Sequence, residues 1–136
     1  MSNQSTSHLF MIEPESFYGN EQTASSNHYQ INEINESPEE IANLALNEFN
    51  NLKNAIEEKG IKVTSLKGSK ECPDHIFPNW FITFSDKTMQ IFSMMAPNRR
   101  LEKKPEMIEH LTETYKLTDD FSYLEENNIF LESTSS

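Results

Sequence analysis

The chain has 136 residues, which is enough for one domain of ordinary size. Its formal net charge is −11, and a field of that sign repels phosphate. This argues against nucleic-acid binding and against docking on an anionic membrane. Its three glycines, Gly19, Gly60 and Gly68, are too far apart for a P-loop or a G-x-G-x-x-G loop, because both loops need clustered glycines for close approach to phosphate.

The cysteine, the histidines and the absence of targeting signals exclude further classes of site and of protein. Cys72 is the only cysteine, so these residues hold no internal disulfide and no cysteine-based zinc site. The histidines lack metal-ligand spacing, and we expect neither a metal nor another cofactor. Residues 1–7 are polar and carry no Lys or Arg, which predicts a disordered tail and not a signal peptide. No run approaches ~18–20 apolar residues, so we predict no transmembrane helix and a cytoplasmic protein.

The first predicted elements are a strand and a loop. Residues 8–12 (HLFMI) form an apolar run stopped by Pro14, which predicts a buried strand. Residues 15–36 are polar and have no sustained period, which predicts a long loop. Loops of more than ~12–15 residues in a compact domain are usually functional or disordered.

A strong helix signal follows this loop. Ser37 can cap the helix, Pro38 suits its first position, and Glu40 completes a capping box. Gly60 provides the left-handed position that ends the helix, and residues 61–66 predict a second strand. The helix has an apolar stripe at three- and four-residue spacing, formed by Ile41, Leu44, Ala45, Phe49, Leu52 and Ile56.

The second half predicts a hairpin, a helix and weak strands. Residues 76–84 are apolar on both faces, as in an interior strand, with Pro78 at its entry. A turn at residues 85–87 and a strand at 88–95 complete the hairpin. A helix is predicted for residues 105–115, and weak strands for 118–122 and 129–131. This α/β pattern ends with its last strand unfinished, so we expect uncovered apolar edges that allow self-association.

Charged residues beside the hairpin suggest a binding site. Asp74 precedes the predicted strand, at a strand mouth where open α/β folds place ligands. A carboxylate there suits a guanidinium, and the Arg99-Arg100 pair at a helix entry suits a carboxylate. Together they would recognise an amino acid with a guanidino or ureido side chain. The alternative interpretation is that Asp74 caps a turn and that both arginines are solvated charges.

Four motifs in order resemble one known family. They are PDHIFPNW at 73–80, MMAPNRRLEKK at 94–104, FYGNEQTASSNHYQ at 17–30 and LESTS at 131–135. Together they resemble the amidinotransferase family of guanidino-group-modifying enzymes, and are most similar to its citrulline-hydrolysing branch. Two departures stand out. That branch has two asparagines before the tryptophan where this chain has only Asn79, and it has glycines where this chain has Ser133 and Ser135.

The resemblance implies a fold and a set of site residues. The fold is the pentein, an α/β-propeller of five ββαβ modules, and residues 8–136 would be the N-terminal part of such a domain, about two modules. Asp74 would bind the guanidino or ureido group, and Asn79 would lie beside it in the pocket. Arg99 or Arg100 would hold the α-carboxylate of the substrate. Glu132 would lie near the family's catalytic histidine.

The predicted function is that of a truncated relative without activity of its own. The family uses a histidine and a nucleophilic cysteine that both follow the matched motifs, so we expect no catalytic residue among these 136. Cys72 lies elsewhere and is expected to be a partly buried thiol; the alternative is a substitute nucleophile served by His75. The expected ligand is a small guanidino or ureido amino acid, bound weakly. Two alternatives remain open: an N-terminal piece completed by a second chain or a longer reading frame, and a non-catalytic binding or scaffolding module.

Overall fold

The computed structural model describes residues 5–20, 22 and 37–133. Several predictions from sequence lie outside these residues: the first four residues of the predicted tail, residues 21 and 23–36 of the predicted loop with most of the N-terminal motif, and residues 134–136. The elements in chain order are β1 (His8–Glu13), α1 (Pro38–Glu58), β2 (Lys62–Lys67), β3 (Phe81–Thr83), β4 (Thr88–Ile91), α2 (Pro97–Arg100), α3 (Pro105–Thr112), β5 (Lys116–Asp120) and a 3-10 helix (Ser122–Asn127).

Helix α1 begins and ends as its sequence predicts. The Ser37 side chain accepts a hydrogen bond from the Glu40 backbone N–H (3.2 Å), and the Glu40 carboxylate accepts one from the Ser37 N–H (2.9 Å). This reciprocal pair satisfies two N–H groups that have no partner within the helix. At the other end, Gly60 has a φ of +81°, a conformation that costs glycine little.

The first unit is a parallel pair of strands joined by a helix. Strands β1 and β2 run parallel, from His8 opposite Lys62 to Glu13 opposite Lys67, and α1 forms the crossover between them. A crossover of this kind is what a parallel pair requires. The parallel arrangement puts the loops that follow β1 and β2 at the same edge of the sheet.

The second unit is a three-stranded sheet in the order β3-β4-β5. Strands β3 and β4 form the predicted antiparallel hairpin, with Phe81 opposite Ile91 and with Lys87 at a φ of +64° in the turn. Strand β5 follows α3 and pairs parallel to β4. This unit therefore has the order strand, strand, helix, strand, whereas the first unit has strand, helix, strand. The α/β class is confirmed, and the five-module ring stays an implication of the resemblance.

The predicted strand at 76–84 is wrong over most of its length, because only residues 81–83 are extended. The preceding segment forms tight turns, in which the Phe77 N–H donates to the Asp74 carbonyl (2.9 Å) and the Asn79 N–H to the Phe77 carbonyl (2.7 Å). These local bonds use the groups that a strand would offer to its neighbours, and Pro78 has no N–H to offer. The apolar side chains that suggested an interior strand belong instead to a compact loop.

Other elements are shorter than predicted or displaced along the chain. Strand β4 ends at Ile91, α3 ends at Thr112, and β5 occupies residues 116–120. The predicted strand at 129–131 is absent among the described residues, although the Leu131 N–H donates to the Ser93 carbonyl (3.1 Å). Beyond Phe92, the Met94 and Met95 N–H groups donate to the carboxylates of Glu125 and Glu132 in a later loop, so they do not continue the ladder.

The two units share one apolar core. The Phe10 ring of β1 meets the Phe81 ring of β3 edge to face, with 5.5 Å between centroids. A groove of about 460 Å³ lies between α1 and β1, and apolar side chains make up nearly all of its described lining. No helix of the described residues has the length and apolar character to cross a membrane. The buried core residues are Ile12, Trp80, Phe81, Met89, Ile91, Met94, Met107 and Leu111.

Candidate functional site

The residues predicted to bind a ligand come from loops at the carboxyl ends of parallel strands. Residues 14–20 follow β1 and residues 68–80 follow β2. Residues 92–104 follow β4 and include α2, and residues 121–133 follow β5 and include the 3-10 helix. Hydrogen bonds between side chains connect these loops across the two units. Ligands in open α/β sheets bind at this kind of edge.

Asp74 is half-buried and is held from the loop after β1. The Asn20 Nδ2 donates to Asp74 Oδ2 (2.7 Å), and the backbone carbonyl of Asp74 accepts from the Phe77 N–H (2.9 Å). The Asn20 side chain also exchanges hydrogen bonds with Asn98 in both directions, at 3.1 and 2.8 Å. Segments far apart in sequence therefore meet at the carboxylate of Asp74.

Arg99 forms a buried ion pair with Glu102. Its Nε lies 3.0 Å from Glu102 Oε1, and its Nη2 lies 3.3 Å from Oε2, with the two residues 8% and 3% exposed. The same guanidinium donates to Asn79 Oδ1 (3.1 Å) and to the Phe77 carbonyl. Burial raises the pKa of Glu102 to about 7, and the Arg99 guanidinium opposes that rise. All three guanidinium nitrogens of Arg99 thus donate to protein groups.

Arg100 contacts a different part of the same edge. Its Nε donates to the Met94 carbonyl (2.8 Å) and its Nη2 to the Met95 carbonyl (3.1 Å). Its guanidinium lies 5.8 Å from the centroid of the Phe130 ring, and its side chain is one-third exposed. Glu125 lies 3.7 Å away and also pairs with Lys103. Of the two predicted arginines, Arg100 is the more accessible to solvent.

Glu132 and Asn79 connect the end of the described chain to the site. Glu132 is exposed, and its Oε1 accepts a hydrogen bond from the Met95 N–H (2.9 Å). The Asn79 Nδ2 donates to the Ser133 carbonyl (2.9 Å), while the Ser133 N–H donates back to the Asn79 carbonyl (2.9 Å). The five predicted residues therefore share one edge, in two linked groups: Asp74 with Asn79 and Arg99, and Arg100 with Glu132 through Met95.

Cys72 and His75 do not form a nucleophile and base. Burial raises the pKa of the Cys72 thiol to about 11, and the residue has no exposed surface. Both ring nitrogens of His75 have other partners: Nδ1 contacts the Cys72 carbonyl, and Nε2 accepts from the Glu15 N–H (3.2 Å). The sequence predicts a partly buried thiol at Cys72, and the structure buries it completely. Within the described ranges, no group of His, Cys, Asp or Glu is arranged to hold a metal ion.

Three residues at this edge are not predicted from the sequence as individual site residues. They are Asn20, Asn98 and Glu102, and each is buried or pairs with a buried group at the site. Asn20 lies 54 residues before Asp74, and no local spacing rule connects the two. The signal that was available is indirect, because all three lie inside the motifs that carry the family resemblance.

Comparison with protein-family models identifies a family for this chain. A model described as N,N dimethylarginine dimethylhydrolase, eukaryotic, matches residues 13–136, which is most of the chain. No curated protein sequence matches the chain significantly.

Two solved structures share the fold. Unliganded AgrE aligns with a TM-score of 0.61 at 14% identity, over 93% of this chain and 17% of AgrE. A dimethylarginine dimethylaminohydrolase, solved as an adduct with S-methyl-L-thiocitrulline, aligns with a TM-score of 0.55 at 18% identity, over 82% of this chain and 41% of the other. The chain thus spans less than half the length of either structure.

Proposed function

Because this chain belongs to the N,N-dimethylarginine dimethylhydrolase family, we propose that its loop edge binds the side chain of an arginine-derived amino acid. The chain is thereby related to hydrolases of arginine derivatives. The dimethylaminohydrolase of similar fold carries S-methyl-L-thiocitrulline as an adduct, a ligand of that chemical class. The ligand proposed here is a small amino acid with a guanidino or ureido group.

The observation that carries the proposal is the placement of Asp74. Its carboxylate is half-buried, lies at the carboxyl edge of the sheets, and is oriented by the Asn20 amide (2.7 Å). A carboxylate accepts two parallel N–H bonds from a guanidinium, and a ureido group offers a similar pair of N–H donors. Arg99 donates hydrogen bonds both to Asn79 Oδ1 and to the Asp74 carbonyl, so Asn79 lies near Asp74. Asn79 would provide a further polar group for the ligand.

For the other end of the ligand, Arg100 is the stronger candidate of the two arginines. Arg99 is buried and paired with Glu102, so releasing it would leave a buried carboxylate without its partner. Arg100 is partly exposed and would exchange backbone carbonyls for the α-carboxylate of the ligand. Glu132, exposed on the same edge, would then lie beside the reacting group.

We propose further that this polypeptide alone binds without turnover. The covalent chemistry of such hydrolases needs a thiolate with a base nearby. Its only cysteine is fully buried with a raised pKa, and His75 is occupied on both nitrogens. The purified 136-residue chain should therefore release no citrulline, ammonia or dimethylamine from arginine derivatives.

Calorimetric titration tests the binding step. We expect L-citrulline or L-arginine to bind with a Kd of about 1 mM or weaker, near the low end of specific affinities. Asp74→Ala should abolish the heat, because it removes the carboxylate that receives the side chain. Asp119→Ala is the matched control: it removes the same charge from an exposed residue of β5 and should leave binding unchanged. Equal binding by the Asp74→Ala variant, or no heat up to tens of millimolar ligand, would contradict the proposal.

A further inference from the structure

We propose that Asn20 is a positioning residue for Asp74, connecting its carboxylate to loops from both units of the fold. The role in ligand binding rests on the proposed function, whereas the geometry stands independently of it. Asn20 is 1% exposed, although it lies in a loop rich in polar residues. A polar side chain buried this completely in a loop requires hydrogen bonds in return.

The Asn20 amide uses both of its N–H donors and its oxygen in hydrogen bonds to described residues. Its Nδ2 donates to Asp74 Oδ2 (2.7 Å) and to Asn98 Oδ1 (3.1 Å). Its Oδ1 accepts from Asn98 Nδ2 (2.8 Å) and from the Gln22 backbone N–H (3.1 Å). A side-chain amide offers two donors and two lone pairs. Rotating the amide by 180° would place its oxygen against the carboxylate of Asp74, so only one orientation fits.

A second bridge reinforces the same arrangement. The Asn98 backbone N–H donates to Gln22 Oε1 (3.0 Å), so Asn20 and Gln22 together contact both the side chain and the backbone of Asn98. Asn98 lies in α2, next to the Arg99 that contacts Asn79 and the Asp74 turn. Hydrogen bonds therefore connect Asp74 to Asn20 and Asn20 to Asn98. The next residue in the chain, Arg99, donates to the Asp74 carbonyl and so completes a closed network.

This hydrogen-bond network requires an asparagine at position 20. An aspartate there would place a second carboxylate against Asp74 and would remove both donors. A leucine has similar volume but leaves Asp74 Oδ2 and Asn98 without these partners, which is costly in a buried site. Bidentate recognition of a guanidinium depends on the plane of the carboxylate. Asn20 thus acts on the ligand through the orientation of Asp74.

The first experiment needs no ligand and uses nuclear magnetic resonance on the whole chain. We expect the Asn20 side-chain NH₂ resonance to exchange slowly with water. Asp74→Asn removes the charged acceptor and should shift this resonance and speed its exchange about tenfold or more. Asp119→Asn is the control and should change neither. An Asn20 resonance that is unaffected by Asp74→Asn would overturn the inference, and this comparison requires no substitution of Asn20 itself.

A double-mutant cycle measures the same coupling through unfolding equilibria. Asn20→Ala alone should raise the unfolding equilibrium constant about 10- to 100-fold, as expected for losing a hydrogen bond to a charged group. In the Asp74→Ala background the same substitution should have an effect at least about fivefold smaller. Asn54→Ala, an exposed asparagine of α1, should show no such dependence on Asp74. Additive effects of Asn20→Ala and Asp74→Ala would overturn the inference.

Calorimetry with L-citrulline then separates this inference from the proposed function. If the unsubstituted chain binds, Asn20→Ala should weaken binding about tenfold or more, and Asn54→Ala should not. Equal binding by Asn20→Ala and the unsubstituted chain would overturn the role in ligand binding. If the unsubstituted chain does not bind, the proposed function fails, while the resonance and the double-mutant cycle still decide whether Asn20 positions Asp74.

Discussion

The thiol of Cys72 has no exposed surface, and its environment determines its chemistry. Burial removes the solvation that a thiolate needs, and the nearby Glu102 carboxylate adds to the rise of the pKa to about 11. A histidine three residues away would normally suggest activation. Here the ring of His75 bonds to backbone groups, so proximity in sequence does not become a catalytic pair.

Thiol labelling tests this assignment directly. From an ordinary value of 9.0, a pKa of about 11 lowers the thiolate fraction at pH 8 by about 100-fold. We therefore expect an aromatic disulfide reagent to label Cys72 at least about 100-fold more slowly in the native chain than in denaturant. The Cys72→Ser variant gives the background. Labelling at the same rate in both states would show an accessible, reactive thiol.

Arg99 shows how one residue can fit two interpretations until its contacts are known. The sequence left Arg99 and Arg100 equivalent, both as ligands for a carboxylate and as solvated charges. The structure separates them by burial, since Arg99 pairs with Glu102 while Arg100 is partly exposed. Burial depends on which loops cover each side chain, and no pattern within NRR encodes that.

At the scale of elements, the sequence predicts the structure correctly where backbone groups form hydrogen bonds with residues close by in the chain. Helix α1 begins at its capping box, and the hairpin turns at residues 85–87, because hydrogen bonds within a few residues determine both. The prediction of a strand is wrong for residues 76–80 for a related reason. Their apolar composition is typical of an interior strand, but their backbone groups bond locally in turns.

Removing the cap of α1 should destabilise the chain modestly. Ser37→Ala removes the acceptor for the Glu40 N–H and should lower the free energy of unfolding by about 0.5–2 kcal/mol. The denaturation midpoint measures this change. Ser85→Ala, in the exposed hairpin turn, is the control and should stay within about 0.5 kcal/mol of the unsubstituted chain. An equal effect of both substitutions would mean that the capping box contributes nothing specific.

At the scale of the whole molecule, His75 connects the loops that follow β1 and β2. Its ring contacts the Cys72 carbonyl and the Glu15 N–H, and a Cβ on Gly68 would lie 2.1 Å from its Cδ2. Burial lowers the pKa of His75, although the nearby carboxylates of Glu15, Asp74 and Glu71 oppose that effect. The neutral ring is the form that accepts the hydrogen bond from Glu15, so protonation breaks a contact between the two loops.

Acid should therefore weaken the fold through His75. The unfolded ring takes up a proton near its ordinary pKa of 6.5, whereas the folded ring resists until a lower pH. The stabilisation is present above pH 6.5 and is lost as the pH falls below it. Glu102, whose pKa is raised to about 7, has the opposite sign. The difference between the unsubstituted chain and His75→Gln isolates the contribution of His75, because both carry Glu102 and His8.

Denaturant titrations at pH 7.5, 6.5 and 5.5 check this expectation. The free energy of unfolding of the unsubstituted chain should decrease relative to that of His75→Gln as the pH falls, even though His75→Gln is less stable overall. Parallel pH profiles for the two chains would show that His75 does not titrate on unfolding.

The sequence by itself determined the α/β class, the start and end of α1, the hairpin and the family. Each depends on signals carried by neighbouring residues or by motifs in order. It also selected Asp74, Asn79, Arg99, Arg100 and Glu132 as candidate site residues, but it did not show the contacts that connect them. Only the tertiary structure decided that Asn20 contacts both Asp74 and Asn98, that Arg99 is buried against Glu102, and that Cys72 is inaccessible. The physical reason is that burial and hydrogen bonding between loops arise from the packing of segments distant in sequence, and a residue's own neighbours carry no record of that packing.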